Sequence, residues 1–213
     1  MNTIELLQSF CGKDDIRPHL MNATVQVVHG TKYYIATDAL KLIMIPYDSV
    51  DRLEITNNKD YPRIKDVVNF ELKYKATISI SEIQKAIELS PKIDELDYSH
   101  QIKCAECDGE GEIECEECGH SYTCDRCGGE GVVGKPVKTG NLVIDNFCFT
   151  DLFGVKINGE YLQTIKDVME YCKSDTVDLK DSPSRVGQLF SCGDVWFVIA
   201  PCVNEEEVFY SFR

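Results

Sequence analysis

The sequence predicts an α+β fold: antiparallel sheets with helices on one face, interrupted by an inserted cysteine-rich hairpin. Three observations carry this prediction. Apolar residues at three-and-four spacing mark short helices in the regions 4–11 and 161–172, a capping-box signature marks another over 81–90, and runs of alternating apolar residues bounded by turn signals mark strands in meanders. Six of the eleven cysteines fall between Cys104 and Cys127, in a stretch nearly devoid of large apolar side chains. The stretch 103–138 therefore cannot form a hydrophobic core, whereas the flanking segments 1–102 and 139–213 can, and these read as two parts of one domain.

Composition narrows the function. A chain of 213 residues with 43% apolar and 27% charged side chains is an ordinary globular protein, large enough for one large domain or two small ones. Its net charge of −14 works against non-specific binding to polyanions. No stretch reaches the length needed to cross a bilayer, and MNTIELLQSF lacks the basic start and long apolar run of a signal peptide. A cytoplasmic protein without membrane contact is expected.

In the first segment, Ile4, Leu7 and Cys11 share a helical face and Gly12 is a plausible stop. Strands are expected at Ala23–Val28, Tyr33–Thr37 and Leu40–Ile45, with a turn at His29-Gly30. A further strand-like stretch covers Val67–Ile80. Ser81 through Gln84 reads as a capping box for a helix that runs to Ser90 and stops at Pro91. In the third segment, Asn158-Gly159 precedes Tyr161, Leu162, Ile165, Val168, Met169 and Cys172, one buried helical face. Strands follow at Thr176–Leu179, Gly187–Ser191 and Val195–Ala200.

The central stretch carries Cys104-x-x-Cys107-x-Gly109-x-Gly111, then Cys115-x-x-Cys118-Gly-His120, then Cys124-x-x-Cys127-x-Gly129-x-Gly131. Two residues between thiolates let both sulfurs face one ion, and the glycines supply the backbone angles of a tight fold around it. An all-sulfur tetrahedral site suits Zn2+, so Cys104, Cys107, Cys115, Cys118, Cys124 and Cys127 are the candidate ligands. The spacing leaves open whether the site takes Cys104, Cys107, Cys124 and Cys127 or the neighbouring units Cys115, Cys118, Cys124 and Cys127. A second ion would need His120 and one more ligand, and a redox role for the thiols is the remaining alternative. Nine acidic residues stand against one arginine between Cys104 and Gly131, which points to a protein partner or a stiffening role rather than to DNA.

The double motif resembles the cysteine-rich zinc hairpin of J-domain (DnaJ-type) chaperones, in which outer Cys-x-x-Cys-x-Gly-x-Gly units pair at the base and inner units pair toward the tip. The resemblance spans residues 104–131 and implies that Cys104, Cys107, Cys124 and Cys127 form the base site. That family has four units, whereas here the middle unit stands alone. No J-domain helix bearing His-Pro-Asp accompanies it.

The flanking segments resemble DNA sliding clamps. The resemblance rests on Phe153-Gly-Val-Lys-Ile-Asn-Gly-Glu-Tyr161-Leu162, Asp175–Leu179, Asp181-Ser-Pro183, Gly187–Phe190 and Val195–Pro201, and on Tyr34-Ile-Ala-Thr37-Asp38-Ala-Leu40-Lys-Leu42 near the start. It implies a clamp-like domain whose inner helices face DNA, here through Lys85, Lys166 and Lys173. A ring needs six such domains, so encirclement would require an oligomer.

Gly129-x-Gly131-x-x-Gly134 fits a dinucleotide fingerprint, but two of its glycines belong to the metal motif and no strand and helix flank it. H-E-x-x-H, G-x-S-x-G and deaminase patterns are missing from the sequence, so no catalytic set is assigned and a non-enzymatic protein is expected. Gln188-Leu189-Phe190 is similar to clamp-binding peptides, yet its place between strand-like runs favours a buried strand. The function expected from these features is a clamp-like accessory or scaffold in DNA replication or repair with a structural zinc hairpin. The alternative is a protein-interaction or chaperone-adaptor module using the acidic hairpin.

Overall fold

Asn2 and Glu5 begin the first helix reciprocally: the Asn2 side chain accepts the Glu5 N–H at 2.9 Å, and the Glu5 carboxylate accepts the Asn2 N–H at 2.8 Å. This helix, α1 (Thr3–Phe10), buries Leu6, Leu7 and Phe10. The computed structural model describes the chain apart from residues 14–15, 56, 69, 116–117, 146, 183–186, 203–207 and 213. Pro183 of the expected Ser-Pro loop is therefore outside the described residues.

Strands β1 (Thr24–Val28), β2 (Thr31–Thr37) and β3 (Lys41–Pro46) form an antiparallel meander. Its first turn is the His29-Gly30 pair, both at positive φ, the geometry that matches the twist of a two-residue hairpin. Next come β4 (Tyr74–Ser79) and α2 (Ile80–Leu89), then β5 (Lys92–Asp97), β6 (Ile102–Lys103), β7 (Glu112–Glu114), β8 (Ser121–Thr123), β9 (Val132–Val133) and β10 (Val137–Ile144). The chain closes with β11 (Phe149–Leu152), β12 (Val155–Asn158), α3 (Tyr161–Cys172), β13 (Thr176–Lys180), β14 (Gln188–Cys192), β15 (Val195–Ile199) and β16 (Val208–Phe212).

Two compact units result, 1–91 with 144–213, and 92–143. In the larger unit one sheet has the order β1-β2-β3-β15-β14-β13-β4. A helix followed by a three-stranded meander thus occurs twice, and the halves join where β3 pairs antiparallel with β15. A smaller sheet, β12-β11-β16, contains a parallel pairing of β11 with β16, an exception to the antiparallel expectation.

Strict alternation along the central strands gives the large sheet two buried faces. Tyr34, Ile43, Ile45, Phe190, Phe197 and Ile199 point toward the three helices, where Phe190 and Phe197 stack with ring centroids 4.7 Å apart. Helices on one face are as the sequence predicts, and α3 packs against both α1 and α2. Tyr33, Ile35, Leu42, Met44, Leu189 and Val198 point the other way, onto Leu20, Tyr61, Ile64 and Val68.

Two expected boundaries change. The strand-like stretch Val67–Ile80 supplies a strand only from Tyr74, because Val68 and Phe70 fold over the second face. There the Phe70 ring meets Trp196 at 4.7 Å and His29 at 5.5 Å. The capping box of α2 is Ser79 with Glu82, not Ser81 with Gln84: Ser79 is extended, at φ −84° and ψ 153°, and Ser81 already lies inside the helix. At the other end Ser90 donates its hydroxyl to the Ala86 carbonyl at 2.7 Å, and Pro91 stops the helix as expected. Gln188, Leu189 and Phe190 are buried in β14, as their position between strands implies.

The smaller unit extends beyond the cysteine-rich stretch on both sides. β5 and β10 pair as a ribbon whose residues are mostly exposed, with Lys138 paired to Asp94, and Thr139 and Asn141 both donating to Glu95. KIDELD and VKTGNLVI carry polar and apolar residues on both faces, so periodicity did not reveal them.

Candidate metal centre

The two outer cysteine units are built alike and cross each other. The Cys104 N–H donates to the Gly131 carbonyl and the Cys124 N–H to the Gly111 carbonyl, each at 2.9 Å. At the crossing, a Cβ on Gly111 would sit 2.3 Å from the Gly129 oxygen, and one on Gly131 would sit 2.3 Å from the Gly109 oxygen. Both glycines also have positive φ, so only glycine fits there. Short ladders hold the arm on either side: β6 with β9 at the base and β7 with β8 toward the tip.

The crossing brings the sulfurs of Cys104, Cys107, Cys124 and Cys127 within 4.8 Å of one another. Cys104 and Cys124 are 3.9 Å apart and Cys107 and Cys127 3.7 Å. Disulfide bonding would need about 2.05 Å. Four sulfurs about 2.3 Å from one zinc ion lie about 3.8 Å apart along the tetrahedron edges, so the donor set and its spacing fit zinc. Backbone donors point at the sulfurs as well. The N–H of Cys107, with that of Glu106, pulls the Cys104 thiol down to about 7, against desolvation. The Cys127 and Arg126 N–H groups also pull on Cys124, but burial and the neighbouring Cys127 and Cys104 sulfurs outweigh them and raise that thiol to about 11. Gly111 donates its N–H to the Cys107 sulfur at 3.3 Å.

The buried cluster of this unit consists of Cys104, Cys107 and Cys124, with Ile113, Cys127 and Val133 packed against them. Sulfur therefore occupies the place of a hydrophobic core, and four bare thiols would hold it weakly. Of the two groupings left open by spacing, the structure brings together the sulfurs of the base one.

Cys115 and Cys118 lie apart from this cluster. They follow β7 at the tip, where the Cys115 N–H donates to the His120 carbonyl at 2.9 Å. Cys118 and His120 are exposed. Among the described residues no set of three or more ligating side chains includes them.

The lysines expected to face DNA are dispersed. Lys85 is exposed on α2, Lys166 is held by Glu170 at 2.8 Å on α3, and Lys173 caps α3 in a left-handed conformation. The three helices together carry Glu5, Glu82, Glu88, Asp167 and Glu170, so their combined charge is acidic. On the opposite face of the large sheet lies an apolar groove of about 280 Å³, lined by residues including Leu20, Leu40, Leu42, Pro62, Val67 and Val198. Its lining comes from five separate stretches, and no sequence motif marked it. No helix is long and apolar enough to cross a membrane among the described residues.

No family model matches this sequence, and no curated protein matches it significantly. Solved structures do. DNA polymerase III subunit beta from Borrelia burgdorferi, in complex with a natural product, matches over 94% of this chain and 60% of its own, with a TM-score of 0.51 and 12% identity. A DnaN sliding clamp from Bartonella birtlesii bound to griselimycin has a TM-score of 0.49 and 12% identity, over 94% and 63% of the two chains. The DNA polymerase sliding clamp from Bacillus subtilis has a TM-score of 0.48 and 13% identity, over 94% and 61%. The chain thus spans less than two thirds of the length of these proteins, and its fold is clamp-like.

Proposed function

We propose that this protein is a non-enzymatic, clamp-like scaffold of DNA replication or repair whose arm is stiffened by one structural zinc ion. The observation that carries the reading is the clamp-like sheet with helices on one face and an open apolar groove on the other. In this reading the groove is the working surface. Leu40 and Val67 stand exposed at its edge above buried Leu20, Leu42 and Val198, which suits a short apolar or aromatic segment of a partner protein. DNA contact through Lys85, Lys166 and Lys173 is secondary, because Lys166 is already paired with Glu170 and the helices carry more acidic than basic side chains.

Zinc bound by Cys104, Cys107, Cys124 and Cys127 would have no open position for substrate or water, so its role is structural. The alternative reading makes the arm the working surface. It rests on charge: residues 92–143 hold twelve acidic and five basic side chains.

A titration separates the two. Short peptides with apolar and aromatic anchors, and primed duplex DNA at low salt, are added to wild-type protein, to Leu40→Asp, and to a variant lacking 103–137. Peptide binding lost in Leu40→Asp and kept without the arm supports the groove. Loss of copurifying partners only without the arm supports the adaptor. A protein indifferent to peptides and DNA would leave only the fold.

A further inference from the structure

β1 is an outermost strand of the large sheet, and we infer that its open edge takes an extended, acidic segment of a partner protein as an added strand. The His29-Gly30 turn fixes which backbone groups stand open there. Val28 and Thr31 close this two-residue turn, so they form a hydrogen-bonded pair, and such pairs alternate along the ladder. Thr24, Gln26 and Val28 therefore bond inward to β2. The N–H and C=O groups of Val25 and Val27 point away from the sheet, and no backbone group among the described residues meets them. Val27 is 62% exposed, so this edge is within reach of another chain.

Cations stand on both sides of that edge. On the face where the Gln26 side chain accepts the Ile64 N–H, Arg63 and Lys65 line a cleft of about 370 Å³ along Val25 and Val27. On the helix face, where Tyr47 and Leu53 pack, Lys32 and Arg52 line a second cleft of about 720 Å³ that begins at the same Val25. Lys32 stands opposite Val27 in the ladder, its Nζ 3.7 Å from the Tyr47 ring centroid. None of the four cations is in an ion pair among the described residues. Glu54 is the one carboxylate among the described residues lining either cleft. The chain as a whole carries −14, so four cations against one carboxylate mark this edge off from the rest of the surface. An added strand sends alternate side chains to opposite faces. Consecutive carboxylates would thus reach Arg63 and Lys65 on one side and Lys32 and Arg52 on the other. Its backbone supplies donors as well as acceptors to Val25 and Val27. A phosphate backbone has only acceptors and would leave the two outward carbonyls unmet, so the edge favours a peptide over a nucleic-acid strand. The two clefts share no lining residue with the apolar groove, which makes the two binding surfaces separable.

Fluorescence anisotropy with the full chain reads the binding. The probe is a labelled peptide of about eight residues, a run of glutamates flanked by valine and threonine. It is compared with the same peptide carrying glutamine for glutamate, with the peptide N-methylated on every amide of the glutamate run, and with oligothymidylate. Wild type should bind the glutamate peptide, and Arg63→Ser/Lys65→Ser and Lys32→Ser/Arg52→Ser should each weaken it about 2- to 30-fold. All four cations are exposed, so both charge variants should keep the wild-type thermal transition. Val27→Pro removes an outward N–H, leaves the ladder to β2 whole and should weaken binding as N-methylation does. The inference is overturned by wild type that does not bind the glutamate peptide, by equal binding of the N-methylated or glutamine peptide, or by binding unchanged in both charge variants. Oligothymidylate held more tightly than the peptide through the same cations would overturn it in favour of nucleic acid. A dimer in solution that Val27→Pro dissociates would place a second copy at the edge and overturn it as well.

Discussion

Gly111→Ala tests the crossing that assembles the metal centre. Alanine at φ +78° costs about 1–2 kcal/mol as a left-handed L residue. Its Cβ would also stand 2.3 Å from the Gly129 oxygen, far inside the about 3.5 Å at which non-bonded heavy atoms rest. The obstacle is backbone, so the Cys124–Cys127 unit must shift. Because this unit folds around its sulfur cluster, the cost appears in metal affinity, and the conformational part alone weakens zinc binding about 5- to 30-fold. Gly140→Ala is the control: its φ is +87°, but nothing lies within 4 Å of the added Cβ and it stands in the exposed ribbon. Competition against a chromophoric chelator reads both. Gly111→Ala binding zinc as tightly as wild type, or no more weakly than Gly140→Ala, would refute the packing argument.

Other expected outcomes follow from the same structure. Cys104→Ser abolishes tight zinc binding while the larger unit keeps its cooperative thermal transition, since neither of its two core clusters contains a residue from 92–143; joint melting of both parts would contradict this. Phe197→Ala removes one ring of the buried stack and costs about 3–5 kcal/mol in urea denaturation. Ser79→Ala removes the cap of α2 and costs about 1 kcal/mol. The Ser79 hydroxyl, with the Ser79 N–H, holds the Glu82 carboxyl below its ordinary 4.5. That stabilisation is present above the ordinary value and is lost as pH falls through the lower, folded one. Glu82→Gln therefore loses less stability than wild type over that acid range, and equal losses would discount the cap.

The third helix was legible because it carries its own period, whereas the second was read from a capping box two residues late and the first has Ile4, expected on its buried face, exposed. Tyr161, Leu162, Ile165, Val168 and Met169 all prove buried, on the one face that their spacing marks. The cysteine units were legible in kind, since glycine at fixed offsets has few purposes beside paired thiols. Which sulfurs share a site was not, because 115–118 has the same spacing as the outer units and only the crossing at Gly111 and Gly131 decides. The ribbon of β5 and β10 escaped because an exposed two-stranded ribbon has no inner face to impose alternation. The apolar groove escaped for another reason. Leu20, Leu42, Pro62 and Val198 meet only once β3 and β15 have paired.

X-ray absorption at the zinc edge of the Cys115→Ser/Cys118→Ser protein is the most direct test of the metal centre. One ion per chain with four sulfur neighbours at about 2.3 Å is the result expected from Cys104, Cys107, Cys124 and Cys127. A first shell containing nitrogen or oxygen, or folded protein that takes up no zinc, would contradict it.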